Sequence, residues 1–345
     1  MNKKSKNKIL VIGDTHFKDG LSYADYILDR REGEKKEILD FIVESSGECG
    51  SVVLMGDCFD SKNPTANTVK EFVSFIESFG EKDVYIISGN HSKKGDGTTA
   101  LDFLKEVKNK KNWHVMTQPT DIVKIGSLEV GFLPYMLNMQ LGVETSEEGS
   151  KVIMKALLGG DILFAHHAIS STSIKGIKTD LLHEIVLPKD ELEKKYKLVV
   201  AGHIHEPQQN GRTLITGSVF TSEVGETEKF IYTINEDLEI ETLKIPSRGI
   251  YKVVDPADST LKKIPDKSIV KAIVTDKAAD LEKLQFSLKR FDAALLIEDY
   301  PDERKKMSVE QGAMDFSVEA LLKLYADARD VDHAKLLHGL HLISE

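Results

Sequence analysis

The sequence predicts an α/β layered domain in which helices flank sheets. Two observations carry this expectation. Short apolar runs of strand character alternate with helix-spaced stretches from about residue 8 to residue 245. Five of the apolar runs also end alike, in a short polar signature that in most cases contains glycine. The carboxyl ends of sheet strands are where α/β folds place their sites.

In chain order, "KILVIGD" (residues 8–14) reads as a buried strand. Residues 34–45 carry Ile38, Leu39, Ile42 and Val43, which is helix spacing. "SVVLMGD" (51–57) is a second strand, and "TANTVKEFVSFIESFG" (65–80) a helix with Thr65 as N-cap and Gly80 as stop. "DVYIISGN" (83–90) is a third strand, and "TTALDFLKEVKNK" (98–110) a further helix. "SLEVGFLPY", "GDILFAHH" and "KLVVAGHIH" supply three more strands. "RTLITGS" and "KFIYTINEDLEIETLKI" read as a closing antiparallel run.

A chain of 345 residues holds two domains or one large domain with an appendage. At 41% hydrophobic and 30% charged, the composition is globular. The net charge of -10 argues against holding DNA or an anionic membrane by bulk charge, but permits a local basic groove or a metal site. Two cysteines, Cys49 and Cys58, make no disulfide framework and suit a reducing, cytoplasmic setting. "MNKKSKNKILVIGD" has too short an apolar run for a spanning helix or a signal-peptide core, so no membrane role is expected.

The polar signatures are Gly13-Asp14-Thr15-His16, Gly56-Asp57, Gly89-Asn90-His91, His166, and Gly202-His203-Ile204-His205. Singly, each reads as a turn or a stray histidine. Together they form a cage of carboxylate, amide and imidazole for divalent cations. In an extended chain His203 and His205 point to the same side, so both face one place. The absence of thiolate suits Mn²⁺, Fe²⁺ or Zn²⁺.

In that order the motifs D-x-H, G-D, G-N-H, H and G-H-x-H resemble the calcineurin-like metallophosphoesterase superfamily over about residues 8 to 235. The resemblance implies a two-sheet sandwich flanked by helices. It implies that Asp14, His16 and His205 hold one metal, that Asn90, His166 and His203 hold a second, and that Asp57 bridges them. His91 would stabilise the transition state or protonate the leaving alkoxide. The superfamily usually continues Gly-Asn-His with Asp, where this chain has Ser92. Asp60 and Ser92 are the expected supporting side chains. His167 is expected to point away, and Cys58 to pack.

More narrowly, "GDCFDSKNPT", "LITGSVFTSEVGE" and "LPYM" resemble SbcD-type (Mre-type) nuclease subunits and their bacteriophage relatives. That resemblance implies a Mn²⁺-dependent DNA exonuclease or endonuclease of repair, recombination or replication. Its domains would be a catalytic unit (1–246), a small α+β DNA-capping unit (247–302) and a linker with C-terminal helices (303–345). An SbcC-like ABC-type ATPase would be the partner, with a homodimer inside a heterotetramer, in the cytoplasm of the cell or of a phage's host. Val318, Leu321, Leu322 and Tyr325 form a helical stripe suited to such a partner or to the chain's own core. His333, His338 and His341 read as surface or packing residues. The competing readings are a phosphatase or phosphodiesterase for small substrates, an inactive scaffold of the same fold, and a nucleic-acid-binding module without chemistry.

Overall fold

The computed structural model describes residues 8–21, 28–94, 97–107, 110–120, 122–174, 176–179, 184–255, 257–275 and 281–297. The stripe at residues 318–325 and His333, His338 and His341 lie outside them.

Two six-stranded mixed sheets form the body. In the first, β1 (Lys8–Ile12), β2 (Cys49–Leu54), β3 (Asp83–Ile87) and β4 (Trp113–Met116) run parallel. The hairpin Phe230–Ile234/Ile240–Lys244 closes its other edge, antiparallel to β1. In the second sheet, β5 (Val123–Ile125) pairs antiparallel with β6 (Leu128–Leu133). β6, β7 (Gly160–Ala165), Tyr196–Ala201 and Thr213–Ile215 then run parallel, with Gln208–Asn210 antiparallel at the edge.

Strand alternation explains the layering. Ile9 and Val11 of β1 face the cluster between the sheets, where they join Val53, Tyr85, Phe132 and Phe164. Leu10 and Ile12 face the other way, onto Ile38 and Ile42 of helix α1 (Leu28–Ser45) and Phe72, Phe75 and Ile76 of α2 (Ala66–Glu77). A third cluster packs the outer face of the second sheet against Ile153, Met154 and Leu192 of the helices Ser146–Ala156 and Lys189–Lys195. The result is helix, sheet, sheet, helix, with strands buried on both faces. Each fully buried Ile or Phe here contributes about 1.5–3 kcal/mol of burial energy.

α2 starts as expected: Thr65 Oγ1 accepts from the Thr68 N–H at 3.1 Å. The helix expected at 98–110 is a single 3₁₀ stretch, Asp102–Glu106. Its buried residues Leu101 and Leu104 are three apart, and Asp102 Oδ2 ties back to the Thr99 N–H at 2.8 Å, both of which suit a tight turn. Thr213–Ile215, expected in the closing antiparallel run, instead runs parallel to Tyr196–Ala201 in the second sheet.

A separate three-stranded parallel sheet, Ile250–Val254, Ile269–Val274 and Asp292–Ile297, follows. Its own core includes Val270, Ala272, Leu284 and Phe291. The short helix Asp258–Leu261 lies between its first two strands. No helix among the described residues is long and apolar enough to cross a membrane.

Candidate metal centre

All eight motif residues gather where strands of both sheets end. Asp14 and His16 follow β1, Asp57 follows β2, and Asn90 and His91 follow β3. His166 follows β7, and His203 and His205 follow Tyr196–Ala201. Three sets of donor atoms converge: Asp14 with His16 and His205, Asp57 with His166 and His203, and His16 with Asp57 and His91.

The backbone bends sharply to achieve this. His16 (φ 40°), Asp57 (φ 38°) and His203 (φ 79°) adopt left-handed conformations rare for side-chain-bearing residues, each costing on the order of 1–3 kcal/mol. Two glycines let the strands close in. A Cβ on Gly56 (φ 123°) would lie 2.0 Å from His166 Nδ1, and one on Gly89 would lie 2.1 Å from Asp57 Oδ1.

Each imidazole has one nitrogen against an outer oxygen and turns the other inward. His166 Nδ1 donates to the Met55 carbonyl at 2.8 Å. His203 Nε2 meets both Glu184 carboxylate oxygens at 2.9 and 3.0 Å. His16 Nδ1 lies 3.2 Å from Asp60 Oδ1, and His205 Nδ1 lies 3.4 Å from Glu226 Oε1. The outer oxygens of Met55, Glu184 and Glu226 only accept, so the nitrogens that face them carry protons, and the inner nitrogens are the ones that would present lone pairs to a bound cation.

The inner nitrogens converge on one another and on two side-chain oxygens. His16 Nε2 and His205 Nε2 face each other at 2.9 Å. His166 Nε2 lies 3.1 Å from Asn90 Oδ1 and 3.2 Å from Asp57 Oδ2, and His203 Nδ1 lies 3.0 Å from the same Asn90 oxygen. Asp14 Oδ1 is buried without a hydrogen bond. A buried convergence of acceptors is unfavourable unless positive charge lies among them, so the donor set fits divalent cations.

In the cation-free chain protons supply part of that positive charge. Burial opposes charge on His166, but Asp57 and Asp14 outweigh it and push that ring up to about 9. Burial also pushes Asp57 up, yet His166, His16 and His91 hold it below the usual carboxylate range. Burial leaves Asp14 raised. The His16 ring, 3.2 Å away, holds Asp60 down at about 2.

The remaining candidates divide. The exposed His91 sits edge-on to His16 with ring centroids 4.8 Å apart. Its N–H donates to Asp57 Oδ1 at 2.8 Å, and its Nδ1 faces the Asp60 carbonyl at 3.3 Å. Ser92 turns away: its hydroxyl accepts from Thr99 Oγ1 at 3.1 Å inside the core. His167 also points elsewhere, accepting from the Met136 N–H at 3.0 Å, and burial keeps it neutral. Cys58 is buried in the helix-side core.

Sequence reasoning missed Glu184, Glu226 and Lys229. Glu226 lies at the end of a segment already singled out by resemblance, whereas nothing in "HEIVLP" marks Glu184. The Met55 carbonyl leaves no residue-type signal at all.

The family model of the calcineurin-like phosphoesterases matches residues 7–207, more than half of the chain, and the chain belongs to that family. Its class is the metal-dependent phosphoesterases, which use divalent cations. None of the curated proteins compared with the chain matches it.

Proposed function

We propose that the chain is a Mn²⁺-dependent DNA nuclease of the SbcD type. Asp14, His16 and His205 would hold one cation, Asn90, His166 and His203 the other, and Asp57 would bridge them. The observation that carries the metal chemistry is the convergence of imidazole and carboxylate ligand atoms at the strand ends of both sheets. A bound cation pair supplies an acidified water as nucleophile and neutralises charge on the phosphoryl oxygens.

The chain's own residues do the rest. Asp57 Oδ1 takes the His91 N–H and fixes the loop that carries His91. With its Nδ1 proton on the Asp60 carbonyl, His91 keeps Nε2 for proton exchange with the leaving alkoxide. Asp60, the last residue of the "GDCFD" stretch, faces His16, so part of the nuclease-like motif is spent on orienting a candidate ligand.

DNA as substrate is supported by that motif and by the additional small sheet after residue 249, which the resemblance would make a DNA-capping unit. The same reading brings an ABC-type ATPase partner for residues 315–345, a homodimer within a heterotetramer, and a cytoplasmic setting. Purified chain with Mn²⁺ is expected to degrade linear duplex or single-stranded DNA. Turnover of a chromogenic phosphodiester with no attack on either DNA would replace this reading with that of a small-substrate phosphodiesterase.

A further inference from the structure

Behind His205 lies a buried ion pair, of which only Glu226 falls in a segment that resembles the nuclease subunits, and neither residue has an expected role. The side chain of Glu226 is 5% exposed and that of Lys229 is 1% exposed. Lys229 Nζ lies 3.4 Å from Glu226 Oε1, donates to Ser218 Oγ at 2.7 Å, and donates to the carbonyl of His205 itself at 3.0 Å. The same Glu226 oxygen lies 3.4 Å from His205 Nδ1, while Oε2 accepts the N–H groups of Ser222 and Glu223 at 2.7 and 3.2 Å. His205 is therefore held at both ends, its ring by the carboxylate and its backbone by the ammonium.

The contacts reach the neighbouring candidate ligand as well. The Ser218 backbone bridges to Asp14, and Val219 N–H donates to the Asp14 carbonyl at 2.9 Å. One buried ammonium thus touches His205 directly and Asp14 through one residue. A buried charge pair is a poor stabiliser, since replacing it with apolar residues of similar shape is often neutral. Its geometry is better explained by what it orients.

We propose that Glu226 and Lys229 are a positioning pair that fixes the His205 ring and sets the divalent-cation affinity of the Asp14–His16–His205 cluster, separately from the Asn90–His166–His203 cluster. This rests on reading both clusters as cation sites. A carboxylate on the outer nitrogen of a ligating imidazole fixes its tautomer and raises its basicity. The lysine prevents that carboxylate from swinging toward the cations and competing with the ring.

The test is Mn²⁺ titration of chelator-treated full-length chain by calorimetry, with electron paramagnetic resonance to separate a spin-coupled cation pair from an isolated ion. Wild type is expected to bind two cations with a coupled spectrum. Glu226→Gln keeps the shape and the backbone hydrogen bonds but loses the charge. It is expected to weaken one cation by about ten- to a hundredfold and give the isolated-ion spectrum. Lys229→Met is expected to shift the same cation, and Glu184→Gln the other. Melting of the metal-free variants at the wild-type temperature excludes misfolding. Should Glu226→Gln not fold, Glu226→Asp keeps the charge at shorter reach and is expected to weaken the same cation less. Wild-type affinities in Glu226→Gln and Lys229→Met would overturn the pair and leave the sites standing. A wild type that binds no cation would overturn the site reading itself, and the pair with it.

Discussion

The two clusters of the centre are built from similar parts and held differently. The cluster of Asp14, His16 and His205 contains a carboxylate, and behind it lies the buried Glu226–Lys229 pair. The cluster around His166 and His203 has the neutral carboxamide of Asn90 where the first has Asp14. It is backed by a main-chain carbonyl and by Glu184, whose side chain is 23% exposed. Each half thus has one buried and one more exposed outer partner, Glu226 and Asp60 for the first, the Met55 carbonyl and Glu184 for the second, and what differs is that the first has a carboxylate behind both rings. Identical imidazoles can present different affinities because their outer partners differ in charge and burial.

Asp57 is where the comparison breaks most severely, because it lies between both clusters. Asp57→Asn is expected to lose both cations and to reduce phosphodiester hydrolysis by about 10³-fold or more, the scale of several kcal/mol of lost transition-state stabilisation. Elemental analysis of the purified variant checks it, and two retained ions would remove Asp57 from its bridging role. Next in size is His91→Ser, expected to keep both cations and lose about 10²–10⁴-fold in turnover. Loss of a cation would instead make His91 a ligand beside His16 and Asp57.

Glu184→Gln sharpens the contrast, with an expected loss of about ten- to a hundredfold in affinity confined to the second cluster. A uniform loss at both cations would show that the halves are not separately held. The smallest effect concerns pH. His166 is raised from 6.5 to about 9, so in the cation-free chain its contribution to stability is complete below pH 6.5 and lost as pH rises through about 9. Melting of chelated protein is expected to drop over that interval, and His166→Gln to flatten the drop. Cation affinity is expected to climb over the same range as the competing proton leaves.

The centre was legible in the sequence because its ligand types are chemically unusual at strand ends, and five signatures in one order reinforce one another. Glycine beside Asp57 and Asn90 was part of that signal, and the structure supplies its steric reason. The outer partners were hidden. Glu184 and Glu226 are two of many glutamates, and they matter only through a fold that carries them to a histidine distant in the chain or across a loop. Helix Ser146–Ala156 was legible and overlooked, since Thr145 and Glu148 form a capping box. Ser92 shows the reverse: its position beside His91 suggested support for that ring, yet the chain turn sends its hydroxyl to Thr99.

One join between the body and the small sheet carries a consequence of its own. Gly225 N–H donates to the Ile250 carbonyl, and Ile250 N–H donates to the Glu226 carbonyl, both at 2.9 Å. The residue that faces His205 is therefore clasped to the first strand of the small sheet. Two sites that share one rigid connection obey reciprocity: if a ligand on the small sheet strains or relaxes that clasp, it alters cation affinity at His205 by some factor, and the cation alters that ligand's affinity by the same factor. The small sheet would then act as a lever, its load passing through these two hydrogen bonds to the residue that faces His205.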